Sequence, residues 1–500
     1  MGDLLSNLAL GFSVAASWQN LLLALIGAMV GTLIGVLPGI GSVATLAMLL
    51  PITFGLPPVG ALIMLAGIYY GAQYGGSTTS ILVNIPGEAT SVVTTLDGHQ
   101  MALQGRAGPA LAIAAIGSFF AGCVSTVLVA ALGAPLTGLA LLFGPAEYFS
   151  LMVLGLIFAV VLAKGSILKA LGMILAGLLL SMVGSDLETG AGRMNFDIPE
   201  LADGIGFVTI AMGVFGFAEI IRNLEKTETR HLVMEKVTGL MPTRADLIAA
   251  APAIGRGTII GSILGILPGG GAVIASFAAY TLEKRVAKDP SRFGRGAIEG
   301  VAGPESANNA AAQTSFIPLL TLGIPPNAVM ALMVGAMTIH GIVPGPQVMT
   351  KQPDLFWGMI ASMWLGNLML IIINLPMVGM WVRLLRVPYR LLAPSILVFC
   401  CIGIYSINNA PADVIMAAVF GLIGYWLIKH DFEPAPALLG FVLGPLMEEN
   451  LRRAMLIARG DASVFFLRPI SAGLLALAAL MLVLAALPML RKKRDEVFVE

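Results

Sequence analysis

The sequence predicts an all-α polytopic membrane protein of roughly ten to twelve transmembrane segments in two homologous, inverted repeats with broken helices or re-entrant hairpins. Three observations lead there. The 500 residues are 57% hydrophobic and 11% charged, with a mean hydropathy of +0.91, too little charge to clothe a water-facing surface. Apolar stretches of bilayer-spanning length, about 20 residues each, recur from Trp18 to Pro488. The stretch Gly31-Thr32-Leu33-Ile34-Gly35-Val36-Leu37-Pro38-Gly39-Ile40-Gly41 returns as Gly261-Ser262-Ile263-Leu264-Gly265-Ile266-Leu267-Pro268-Gly269-Gly270-Gly271.

Each copy sits inside an apolar run. A proline in a helix interior lacks a backbone donor and clashes with the preceding turn, at about 3 kcal/mol or more, so each helix should break there. Gly-x-x-x-Gly alone would serve close helix packing. The Leu-Pro-Gly-x-Gly that follows it in both copies points further, because broken backbone at membrane depth is tolerated only when buried in protein or lining a wet cavity. Paired breaks at corresponding positions of two repeats mark a binding cavity.

In chain order, residues 1–17 form an interfacial N-terminal segment, without the basic start or small-residue cleavage site of a secretory signal. Residues 18–222 are the first transmembrane repeat. A helix over 21–36 enters the first break and a shorter one over 42–50 leaves it, as a re-entrant hairpin or two broken spans. A polar, glycine-rich run at 71–80 and the turn Asn84-Ile85-Pro86-Gly87-Glu88 follow, then spans over 110–182 with a turn at Lys164-Gly165-Ser166. Residues 185–203 carry five carboxylates against Arg193 alone, so the positive-inside rule does not mark this loop as cytoplasmic.

Residues 223–247, the longest polar stretch in the chain, are a cytoplasmic linker, and residues 248–490 the second repeat. Its break is followed by a helix through Tyr280 and a turn with Lys284, Arg285, Lys288, Arg292 and Arg295, whereas the matching turn at 55–58 is uncharged. That asymmetry is what inversion predicts. The basic tail, residues 491–500, prefers the inside, which calls for an extra crossing near residues 452–466.

Lysine plus arginine equals aspartate plus glutamate, at 28 each, so no charge excess calls for nucleic acid. Cys123, Cys400 and Cys401 have no metal or disulfide spacing and read as buried hydrophobes. His340 reads as a packed neutral histidine. An intramembrane hydrolase using Ser77 or Ser306 is disfavoured, since neither His-Glu-x-x-His nor Gly-x-Ser-x-Gly occurs.

The candidate chemistry lies in the two polar runs. Ser77, Thr78, Thr79, Ser306 and Asn308, with Asn84, Asn309, Gln313 and Asn327, are the candidate substrate-binding residues: helix N-termini and neutral donors hold a carboxylate without arginine. Sodium as coupling ion wants oxygens, offered by the Gly39, Gly41, Gly269 and Gly271 carbonyls and by Thr79 and Asn309. Any of these side chains could instead serve as polar glue between helices. Glu88, Asp97, Glu299 and Glu305 lie closest to the runs, either as proton or cation ligands or as interface residues.

At these residues the chain resembles the TctA family, the large membrane subunits of tripartite tricarboxylate transporters. The stretches that carry the likeness are Gly-Val-Leu-Pro-Gly-Ile-Gly at 35–41, Tyr-Tyr-Gly-Ala-Gln-Tyr-Gly-Gly-Ser-Thr-Thr-Ser at 69–80, Asn-Ile-Pro-Gly-Glu at 84–88, Gly-Ile-Leu-Pro-Gly-Gly-Gly at 265–271 and Gly-Pro-Glu-Ser-Ala-Asn-Asn-Ala at 303–310. The resemblance implies a multi-pass transporter of the bacterial inner membrane, not an enzyme. It implies two partners, a small TctB-like membrane subunit and a periplasmic TctC-like binding protein, and a citrate-like or related carboxylate driven by a sodium or proton gradient. A more distant likeness to elevator-type ion transporters rests on architecture. A cation/proton exchanger, or a dicarboxylate transporter without citrate specificity, is the alternative.

Overall fold

The computed structural model describes residues 2–37, 41–163, 166–186, 189–225, 239–267, 271–384 and 389–486. The turn at Lys164-Gly165, the linker over 226–238, the tail over 491–500 and the break residues 38–40 and 268–270, with Gly39 and Gly269, lie outside the described residues.

The first half contains α1 (Gly2–Ala15), α2 (Trp18–Val36), α3 (Gly41–Leu49), α4 (Pro58–Val83), α5 (Ala107–Ala140), α6 (Pro145–Leu162), α7 (Ile167–Ser181) and α8 (Phe207–Glu225). The second contains α9 (Arg244–Ile266), α10 (Gly271–Val286), α11 (Glu299–Thr314), α12 (Phe316–Leu322), α13 (Ala328–Ile339), α14 (Pro353–Asn374), α15 (Tyr389–Asn408), α16 (Pro411–Lys429), α17 (Ala435–Ile457) and α18 (Pro469–Ala486). Short turns of helix join them, and the only pairing of strands among the described residues is a two-residue ladder, Gly184–Ser185 against Gly192–Arg193.

Both repeated motifs end a helix in the same way. α2 stops at Val36, with Leu37 extended (φ −86°, ψ 102°) and its N–H bonded to Ile34 O. α9 stops at Ile266, with Leu267 extended (φ −77°, ψ 135°) and its N–H bonded to Leu264 O. A residue before proline is pushed out of the α region, so each helix closes with a tight last turn one residue earlier.

The motif glycines, with Gly27 and Gly257 one turn before them, bring helices into backbone contact. A Cβ at Gly27, Gly31 or Gly35 would lie 2.2–2.4 Å from the carbonyl oxygens of Met64, Ile68 and Ala72 on α4. One at Gly257, Gly261 or Gly265 would lie 2.2–2.4 Å from those of Gly303, Ala307 and Ala311 on α11. Thus α2 pairs with α4 and α9 with α11, each along a stripe of small residues at a four-residue spacing. Helices α4 and α11 carry the two polar runs, yet residues 60–83 and 300–314 are buried without exception. α5 packs against α11, α9 and α14 and seals this core; α1 lies along α14, with Phe12 stacked on Trp364 at 5.7 Å.

Six helices among the described residues are long and apolar enough to cross a bilayer, fewer than the ten to twelve crossings expected. Seven further apolar helices span 10–17 residues each among the described residues, and α4, at 26 residues, gives up hydropathy to its polar run. Exposed apolar side chains such as Ile415, Val419, Leu422 and Trp426 on α16 suit a lipid-facing surface. The extra crossing expected near residues 452–466 is absent. α17 ends at Ile457, and Arg452 there joins Asp186 at 2.6 Å and Glu448 at 2.6 Å. Residues 464–467 form only a four-residue helix. Arginine is expensive at membrane depth, and here its charge is met by carboxylates at the end of a helix instead.

Candidate functional site

A cavity of ≈ 200 Å³ opens where the helices restart after the two breaks. Its wall includes Ser42 and Val43 from the first turn of α3, and Ala272 and Val273 from the first turn of α10. The first turns of α13 (Asn327, Ala328, Val329) and α17 (Ala435, Pro436) line it as well. Four helix N-termini thus converge on one space, and each carries roughly half a positive charge from its aligned peptide dipoles. Asn327 caps α13, its side chain accepting from Met330 N at 2.9 Å, which fixes that end against the cavity.

Further lining comes from α4 and the turn after it, with Tyr69, Gln73, Glu88 and Thr90. Thr90 donates to Gln73 Oε1 at 2.7 Å and so orients the amide. Glu88 is carried into place by glycine. Gly87 lies so close to the end of α2 that a Cβ would sit 2.1 Å from Gly35 O, and one on Gly76 would meet the Glu88 side chain at 3.2 Å. Ser42 donates to Glu88 Oε2 at 3.2 Å, while Glu88 Oε1 is buried with no hydrogen-bond partner. Glu433 is the other carboxylate on the cavity wall.

The two polar runs meet deeper in the protein. Glu305 on α11 accepts from Ser77 on α4 at 2.5 Å, and from Thr94. Asn309 donates to Ser118 on α5 at 2.7 Å. Ser77 and Thr78 line a second, much smaller cavity with Tyr74, Ser118 and Asn374.

The residues singled out from the sequence therefore divide. Asn327 lines the large cavity, and Ser77 and Thr78 the small one. Thr79 donates to Val36 O at 2.9 Å and satisfies a carbonyl at the buried end of α2. Asn84 is exposed and caps α4 in the left-handed region, with φ 60°. Ser306 bonds Ala302 O within its own helix. Asn308 is fully buried with neither amide atom paired, and Gln313 Oε1 is likewise unpaired; neither lines a cavity described here. Gly41 and Gly271 open the helices that face the large cavity.

Three of the four carboxylates grouped together in the sequence have distinct surroundings. Asp97 Oδ1 accepts from the backbone N–H groups of Gly294, Gly296 and Ala297, and Oδ2 from Tyr280, pinning the basic turn to the first half. Glu299 pairs with Arg292 at 2.6 Å. Glu88 faces the cavity. Sequence reasoning passed over Ser42, Tyr69, Gln73 and Thr90. Ser42 was signalled by its place just beyond the first break and Gln73 by the glycines around it.

A buried, predominantly helical membrane core that turns helix ends and neutral polar side chains toward an internal cavity defines the class of polytopic membrane transporters. The chain belongs to the tripartite tricarboxylate transporter TctA family, whose profile matches residues 21–439. This is a transporter family, not an enzyme family, and its members are the large membrane subunits of tripartite systems. The chain is 60% identical over 500 residues, the full length of both proteins, to the uncharacterized 52.8 kDa protein in the TAR-I ttuC' 3' region of Agrobacterium vitis. It is 65% identical over 240 residues, 48% of this chain and 99% of the relative, to an uncharacterized protein in the TAR-II ttuC' 3' region of the same organism. No solved structure matches.

Proposed function

We propose that the protein imports a citrate-like tricarboxylate or related carboxylate across a bacterial inner membrane, as the large subunit of a binding-protein-dependent secondary transporter coupled to a sodium or proton gradient. A TctB-like small membrane subunit and a periplasmic TctC-like binding protein complete the system. Residues 18–222 and 248–490 act as two inverted repeats, joined by a cytoplasmic linker over 223–247, and the anion site moves between the two sides in an elevator-like step.

The observation that carries this reading is the convergence of the α3, α10, α13 and α17 N-termini on one ≈ 200 Å³ cavity. The anion lies against these turns, near Ser42, Gln73 and Asn327. Glu88 faces the same space with an unpaired oxygen. Two like charges repel strongly in a low-dielectric site, so an anion entering beside Glu88 brings a compensating positive charge, which supports ion coupling.

The test is uptake of labelled citrate and smaller dicarboxylates by proteoliposomes holding this chain with both partners, under an imposed sodium or proton gradient. Accumulation only with a gradient supports the proposal, and gradient-independent equilibration sinks it. A cation/proton exchanger without organic substrate is the second reading, favoured by that unpaired Glu88 oxygen. Ion exchange that no carboxylate alters would promote it.

A further inference from the structure

The smaller cavity, ≈ 10 Å³, lies between α4, α5 and the end of α14. That is about the room one water or one small ion occupies. Five oxygen-bearing side chains line it: Tyr74, Ser77, Thr78, Ser118 and Asn374. Tyr74 Oη and Asn374 Oδ1 are buried with no hydrogen-bond partner, on residues only 3% and 7% exposed. Such orphans are costly at membrane depth unless something fills the space between them.

The surrounding bonds turn this cavity into a set of acceptors. Ser77 gives its proton to Glu305, which leaves its lone pairs for the cavity. Asn374 Nδ2 donates to Leu370 O at 2.9 Å, so the amide orientation that leaves Oδ1 unpaired is fixed by its own helix. Ser118 Oγ is held by Asn309 Nδ2 at 2.7 Å. Asn374 is also the last residue of α14, a 22-residue helix, and Leu375, its cap, closes the cavity. The C-terminal end of a helix carries partial negative charge and favours cations.

Charge argues the same way. Glu283 has Arg256, Glu147 has Arg468, and Asp97 has three backbone N–H groups. The hydrogen-bond partners of the Glu305 carboxylate are two hydroxyls, on Ser77 and Thr94, and the residue is fully buried. Of these, Ser77 stands between Glu305 and the cavity.

We propose that this cavity is a monovalent-cation site filled by sodium, with Glu305 compensating the ion's charge through Ser77. No three His, Cys, Asp or Glu side chains group together among the described residues. Neutral oxygens in a small space suit a hard, singly charged ion rather than a transition metal or calcium. The site lies apart from the anion cavity and has opposite polarity, helix C-terminus against helix N-termini. In its role as a coupling site the inference rests on the transport reading above; the binding of sodium does not.

Thermal unfolding of the purified chain is measured in sodium, lithium, potassium and choline chlorides at equal ionic strength, without carboxylate. Sodium raises Tm above choline and potassium, and Tyr74→Phe shifts the half-maximal sodium concentration upward by ~10-fold or more, with its Tm in choline unchanged. A Tm indifferent to the cation, as for a cavity that holds only water, overturns the proposal, and so does a wild-type sodium response in Tyr74→Phe. Should Tyr74→Phe fail to fold, Ser118→Ala and equilibrium binding of radioactive sodium to the wild type decide it: saturable binding weakened by Ser118→Ala supports the site, and unsaturable or unchanged binding removes it. Loss of sodium binding with carboxylate uptake intact would overturn this inference alone. Sodium binding without any carboxylate uptake would overturn the transport reading alone.

Discussion

Ser77 on α4 donates to Glu305 on α11 at 2.5 Å, across 228 positions of sequence, and so turns the polar runs of the two halves toward each other. The contact forms because α4 and α11 are each clasped by a glycine-bearing partner, α2 and α9, and both are buried over their whole circumference.

A hydrogen bond to a buried carboxyl contributes about 1.5–3 kcal/mol when that group is charged. Thr94→Val, which removes the second hydroxyl on Glu305, should lower stability by about that amount while leaving the sodium response in place, because Thr94 does not line the small cavity. Denaturation midpoints with and without sodium check both halves of this statement.

Gly31→Ala places a methyl 2.2 Å from Ile68 O, a contact with backbone that no rotamer can relieve. Overpacking of this kind costs about 1–3 kcal/mol or more. A sharp loss of monodisperse protein in size-exclusion chromatography is expected. Gly172→Ala meets nothing within 4 Å and should behave as wild type; equal behaviour of the two variants would refute the helix-clasp account.

Asp97→Ala strips the partner from three backbone N–H groups and the Tyr280 hydroxyl. Each orphaned group costs about 1–3 kcal/mol, so the basic turn should detach. Limited trypsin digestion reads this directly, with faster cleavage after Lys288, Arg292 and Arg295 in the variant and wild-type rates at the other basic residues.

Asn327→Ala removes the cap of α13 at the rim of the large cavity. It should cost about 1 kcal/mol of stability and raise the half-saturating carboxylate concentration, since a frayed helix end presents a weaker dipole. Asn84→Gly, at an exposed left-handed cap, should leave uptake unchanged. Uptake lost in Asn84→Gly, or untouched in Asn327→Ala, would reverse the assignment of these two residues.

The sequence by itself determined where the helices stop. Proline followed at once by glycine, at 38–39 and 268–269, disfavours continuation through local covalent chemistry, and the helices end at Val36 and Ile266 with matching caps. It also determined that the polar runs are buried, because apolar flanks on both sides leave them no route to water. Which polar side chains face open space was decided only by the tertiary structure. A hydroxyl or amide inside a membrane protein takes whatever partner the rotation of its helix offers: Thr79 found the carbonyl at the end of α2, Asn309 found Ser118, and Ser77 found Glu305. Those partners lie on other helices, up to 228 positions away, so no local pattern could separate a helix cap from a wall of the cavity.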